Sequence, residues 1–177
     1  MVAKQGDIFP DKELREFVDK ELEKRNINEH TVGELIYGLQ HKFFPNKTVD
    51  EFGEELPYVL KKREVQEVLA IGFTLDNLAT EKKLPGIVQT IVERDMGEFS
   101  TDELLSITIA MMYGGISIAN WGRIDTNKFG LAKELDTTPG NVNTFADDLV
   151  EALASACAAR LGQHSIRPET NDAWHYI

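Results

Sequence analysis

The sequence predicts an all-α fold: a single compact multi-helix domain in which a central Ala-rich helix is surrounded by other helices. Three observations carry this expectation. Apolar residues recur at helical spacing through much of the chain, and strand signals are few. The capping-box pattern, Ser or Thr followed three residues later by Glu, recurs at Thr31–Glu34, Thr48–Glu51 and Ser100–Glu103. The segment from Phe145 to Leu161 is rich in Ala and carries only Asp147, Asp148, Glu151 and Arg160 as charges. A helix exposed on one side would show a charged stripe, so this one is expected inside.

The elements follow in order. Asp11 to Arg25 places Leu14, Phe17, Val18 and Leu22 on one helical face. Thr31 and Glu34 open a second helix through Leu35, Ile36 and Leu39. Thr48 and Glu51 open another after Pro45, and Pro57 marks the next start. A long helix is expected from about Val59 to Ala79, through Val65, Val68, Leu69, Phe73 and Leu75. Pro85 opens a short helix ending near Gly97. Ser100 caps the uncharged run Leu104 to Gly122, read as a buried helix kinked or broken at Gly114-Gly115. Gly122 to Asp136 reads as a loop and a short helix. Thr138-Pro139 reads as an N-cap followed by Pro at the first helical position, and the last helix stops near Gly162. The single domain spans 1–177, with loosely ordered tails expected at 1–10 and 163–177.

Composition narrows the function. The chain has 177 residues, with 30 acidic and 19 basic side chains and a formal charge of −11. Without a basic stripe it is not expected to bind nucleic acid. The single cysteine, Cys157, excludes an intramolecular disulfide and fits a reducing cytoplasm. Among alanines, with Arg160 its only nearby cation, it reads as a buried structural thiol. The first ten residues lack the apolar core of a signal peptide. Leu104 to Gly122 approaches membrane length, but Ser106, Thr108, Ser117, Asn120 and the glycine pair argue against a span. Trp121 or Phe129, if exposed, would anchor a homo-oligomer, although such residues more often fill a core.

Several chemistries are absent from the sequence. It has no nucleophile elbow and no phosphate-binding P-loop. His30, His41, His164 and His175 are scattered without zinc-site spacing. Carboxylates remain. Asp102-Glu103 opens the uncharged run, Asp147-Asp148 opens the Ala-rich helix, and Asp125 lies between Arg123 and Lys128. Each has a structural explanation. Acids suit the first turn of a helix, Asp147 follows Thr144 by three residues, and Asp125 fits an exposed ion pair. Each also has a functional one, since several carboxylates beside an apolar helix suit a hard cation such as Mg²⁺ and phosphate chemistry. Asp148 shares a helix side with Phe145, Ala152 and Ser155, so it is expected to face inward with Asp147 flanking it. Glu151, one turn on from Asp147, reads as an outer ligand or a solvated residue.

The order Asp-Glu, then Arg with Asp and Lys, then Asp-Asp, resembles the phosphatidylglycerophosphatase A family, which includes the low-temperature-requirement C proteins of Listeria. The segments NTFADDLVEALASACAARLG and KREVQEVLAIGFTLDNLA resemble its soluble, all-helical Bacillus-type branch. The resemblance covers about 97–162 and extends back toward Lys61. It implies a Mg²⁺-dependent phosphomonoesterase converting phosphatidylglycerophosphate to phosphatidylglycerol. By position it implies metal ligands at Asp102, Glu103, Asp147 and Asp148. It also implies catalytic roles for Asp125, Lys128 and Arg123, with Asp125 completing the metal shell or acting as base and the two cations steadying phosphate. The partner would be a phospholipid headgroup or a phosphorylated small molecule. The setting would be the cytoplasm, with peripheral contact at the inner face of the membrane. Ser106, Phe129 and Glu151 depart from the family pattern. They motivate one alternative, a non-catalytic metal-stabilised interaction protein; a second is an all-helical nucleotide pyrophosphatase, since such enzymes also gather acidic residues on facing helices around Mg²⁺.

Overall fold

The amphipathic spacing at the start of the chain becomes α1 (Asp11–Lys24), which buries Val18 and Leu22. The computed structural model describes residues 10–95 and 100–165. Most of both expected tails, and the expected helix end near Gly97, lie outside the described residues. Helix α2 (Glu29–Gln40) starts earlier than Thr31 suggests. Asn28, in extended backbone, accepts from the Thr31 N–H at 3.1 Å, and the Asn28 N–H donates to Thr31 Oγ1 at 3.1 Å. Thr31 is therefore the third helical residue of a box whose cap is Asn28. The Thr48–Glu51 box opens α3 (Val49–Gly53) as expected, with the Thr48 N–H donating to Glu51 Oε2 at 2.7 Å.

The long helix expected from Val59 is two helices, α4 (Leu56–Leu60) and α5 (Arg63–Thr80). Lys62 is extended between them, and the buried Gln66 side chain donates to the Leu60 carbonyl at 2.6 Å, satisfying the end of α4. Next come α6 (Ile87–Arg94) and α7 (Thr101–Met111), followed by α8 (Gly115–Thr126). The uncharged run breaks at Gly114, whose φ of 87° lies in the left-handed region open to glycine. Its two halves are only partly buried, since Leu104, Met111 and Ile116 are exposed. Among the described residues no helix is long and apolar enough to cross a membrane. The expected loop after Gly122 is instead the end of α8, and three residues lead to α9 (Gly130–Thr137). Thr138, expected as an N-cap, terminates α9, and α10 (Ala146–Ser165) begins eight residues later and continues past Gly162. Trp121 is buried and Phe129 packs half-buried against the core, so neither is an exposed anchor.

Helix α10 is the axis of the fold. Every residue from Ala146 to Ala159 is buried, and the helix packs against α2, α4, α5, α7, α8 and α9. Its Ala and Ser side chains allow that closeness. Burial is complete at Cys157 and pushes its thiol up, in keeping with a structural role.

The start of α10 is held from another helix. Asp76 of α5 is fully buried and accepts from the Phe145 N–H at 3.1 Å and the Ala146 N–H at 2.9 Å. It therefore caps α10 across the fold, satisfying backbone donors that no local side chain reaches. Gly72, one turn earlier on α5, permits this approach, because a Cβ there would stand 2.6 Å from a Leu149 methyl and 3.2 Å from Phe145 Cβ. Burial pushes the Asp76 carboxyl up to about 7, opposed by the two N–H groups and by Arg25.

Asp76→Ala strands two buried donors and should destabilise the fold by about 2–4 kcal/mol, read as a lower urea midpoint with an unchanged slope. Asp76→Asn keeps one acceptor and should lose less. An unchanged midpoint in Asp76→Ala would remove the cap from this account.

Candidate metal centre

Because α10 is enclosed, its carboxylates cannot turn to solvent. Asp147, Asp148 and Glu151 lie in its first turns and are all buried. Facing them are Asp102 and Glu103 from the first turn of α7 and Asp125 from the last turn of α8. Lys128 enters from the short loop before α9. A cavity of about 380 Å³ is lined by Asp95, Asp102, Glu103, Asp125, Lys128, Asp136, Thr144, Asp147 and Asp148. Seven carboxylates thus face one ammonium, and Glu151 is a fully buried carboxylate behind them.

One cation cannot satisfy this crowd. The Lys128 ammonium donates to Asp147 Oδ2. It lies 3.6 Å from Asp148, 3.8 Å from Asp136 and 4.0 Å from Glu151. Asp102 Oδ1, Asp147 Oδ1 and both Glu151 oxygens are buried without a hydrogen-bond partner. Glu103 has a second task, accepting from the Ser100 N–H at 2.6 Å as the capping-box acid.

The electrostatics follow from burial and crowding. Burial first, then Asp147, pushes Asp148 up to about 9. Burial, then Asp148, pushes Glu151 up to about 10, and burial raises Asp147 to about 7 against the pull of Lys128. Burial also raises Asp95, Glu103 and Asp125. At Lys128 burial acts downward, but the facing carboxylates, Asp147 foremost, override it and raise the pKa.

Three sets of carboxylate oxygens each lie within 4.8 Å of one another: Asp95, Asp136 and Asp147; Asp102, Glu103 and Asp148; and Asp125, Asp148 and Glu151. The donors are all oxygen, and several are orphaned. That suits a hard cation such as Mg²⁺ or Ca²⁺ better than a soft metal.

Of the residues expected at the site, Asp102, Glu103, Asp125, Lys128, Asp147 and Asp148 all line this cavity. Arg123 is exposed on α8 and does not. Asp147 does not merely flank, being as buried as Asp148, and Glu151 is not solvated. The sequence reading missed Asp95 and Asp136. Asp95 ends α6 in left-handed backbone, with φ 38°, and Asp136 lies in the last turn of α9. A faint signal existed, since acids at helix C-termini oppose the macrodipole and need another reason to be there.

Residues 29–163 match the family model described as phosphatidylglycerophosphatase A. The chain is 38% identical over 140 residues to the uncharacterized protein YpjQ of Bacillus subtilis (strain 168), covering 79% of each chain. It is 38% identical over 149 residues to the uncharacterized protein YutG of the same organism, covering 84% of this chain and 90% of that one. Its fold superimposes on the crystal structure of the low temperature requirement C protein from Listeria monocytogenes with a TM-score of 0.83 and 34% identity, over 87% of this chain and 98% of that one.

The raised carboxyl groups give a signed pH dependence. A group whose folded pKa exceeds its unfolded value contributes stability below the unfolded pKa, and loses it as pH rises through the folded one. With EDTA, the melting temperature should therefore fall as pH rises from about 5 to 9. Asp148→Asn should flatten that fall, and millimolar Mg²⁺ at pH 8 should raise the melting temperature of the parent protein. A melting temperature indifferent to both pH and Mg²⁺ would contradict the crowding described.

Proposed function

Because the chain belongs to the phosphatidylglycerophosphatase A family, we propose that it is a Mg²⁺-dependent phosphomonoesterase that removes the terminal phosphate of phosphatidylglycerophosphate. The observation that carries this reading is the convergence of seven carboxylates on a single lysine in one cavity. Asp102, Glu103, Asp147 and Asp148 would hold the ion, and the orphaned oxygens of Asp102 and Asp147 fit that task. When bound, Mg²⁺ supplies neutralisation of phosphoryl charge and a more acidic water.

The chain's own groups do the rest. A cavity so acidic repels a phosphomonoester, so substrate binding depends on the sites being filled. The Lys128 ammonium stays charged across the physiological range and is the cavity's own donor to a phosphoryl oxygen. Asp125, half-buried and with its pKa raised by burial, would complete the metal shell or accept a proton from the nucleophile. Arg123, outside the cavity wall, is assigned to the diester phosphate of the same headgroup. A lipid substrate of this family would be met by peripheral contact at the inner face of the membrane, from the cytoplasm.

The test is phosphate release from a short-chain phosphatidylglycerophosphate with Mg²⁺ or with EDTA. Release should require Mg²⁺. It should fall by about 10²-fold or more in Asp148→Asn, the scale seen when one preorganised charge-stabilising group is removed. Lys128→Met should also reduce it, whereas unchanged turnover in Asp148→Asn would sink the assignment. Pyrophosphate as product from a nucleotide substrate would identify a pyrophosphatase instead. A melting temperature raised by Mg²⁺, without release across a phosphomonoester panel, would identify a metal-stabilised interaction protein.

A further inference from the structure

Glu151 is a group to which the proposed phosphatase site gives no task. Its side chain is fully buried, and neither carboxylate oxygen has a hydrogen-bond partner. The Lys128 ammonium is 4.0 Å from Oε1, beyond hydrogen-bond reach, and already bonded to Asp147. A buried carboxylate left in this condition is strongly unfavourable unless a proton or a cation joins it. A simple packing role is better served by Ala or Leu at such a position.

The surroundings favour a cation. Glu151, Asp148 and Asp125 each offer an oxygen, all within 4.8 Å of one another. Six-coordinate oxygen donors at ~2.1 Å from one ion stand ~3.0 Å apart when adjacent and ~4.2 Å apart when opposite, so this set is near the size of one hard cation. Oxygens of Asp102, Glu103 and Asp148 also lie within 4.8 Å of one another, and Asp148 belongs to both sets.

We infer that Asp125, Asp148 and Glu151 hold a second divalent cation, with Asp148 shared between it and the ion held by Asp102 and Glu103. This rests on the metal-binding part of the proposed function and makes the centre dinuclear. A shared carboxylate brings two ions to the ~3.5–4 Å separation at which both can contact one phosphoryl group. Glu151 is then a ligand supplied by the buried face of α10 itself, one helical turn beyond Asp147 and Asp148.

The experiment uses Mn²⁺ as the probe on the full chain, with stoichiometry from equilibrium dialysis and pairing from electron paramagnetic resonance. The parent protein should bind two Mn²⁺ and give the spectrum of a magnetically coupled pair. Glu151→Gln, which keeps the shape, should weaken the second Mn²⁺ at least tenfold and leave an isolated-ion spectrum. One uncoupled Mn²⁺ in the parent protein would overturn the inference, as would a coupled pair that persists unweakened in Glu151→Gln. If the variant fails to fold, the parent stoichiometry and spectrum still decide. A coupled pair without any phosphatase activity would leave this inference standing while the phosphatase reading fails. Absence of any bound Mn²⁺ would remove both.

Discussion

The fold depends on a helix that has no solvent face from Ala146 to Ala159. Enclosing α10 requires that its free N-terminal donors be met inside the protein, and Asp76 meets two of them from α5. That single carboxylate fixes where α10 begins, and so fixes the height at which Asp147, Asp148 and Glu151 emerge. Supporting contacts keep the approach segment in place. Thr144 Oγ1 donates to the Val92 carbonyl at 2.6 Å, and the Val142 N–H donates to Thr80 Oγ1 at 2.9 Å.

Enclosure also sets the electrostatics. Carboxylates on a surface helix would relax into water. Here the same groups are pressed between α7, α8 and the loop carrying Lys128. Protons, one lysine or an added cation are the available means of neutralising them. The positive end of the α10 macrodipole helps Asp147 and Asp148 in the first turn, but its influence fades by Glu151. At Glu151 burial, followed by repulsion from Asp148, pushes the carboxyl up to about 10. Stability is thereby exchanged for an anionic cavity that a bound cation would complete, a trade common at functional sites.

The site draws on many elements. Asp95 comes from the end of α6, Asp102 and Glu103 from α7, Asp125 from α8, Asp136 from α9, and the last acids from α10. Lys128 is placed by the turn into α9, where Gly130 has a φ of 53°. Changes far from the cavity that shift α10 along its axis should therefore be felt at Asp147, Asp148 and Glu151 together, since these groups are held by packing rather than by one loop.

The sequence by itself determined the helical class, the enclosed Ala-rich helix and the acidic pairs. These rest on local periodicity, composition and residue order, which need no partner elsewhere in the chain. Helix boundaries were less legible. Asn28 rather than Thr31 caps α2 because either residue fits the local pattern, and the choice falls to the one left in extended backbone. Only the tertiary structure decided that Asp76 caps α10, that Asp95 and Asp136 join the cavity, that Glu151 is buried, and that Arg123 stands outside. Each of these depends on contacts between segments far apart in sequence. No local pattern records them, because the cost of burying a charge is set by whatever packs against it.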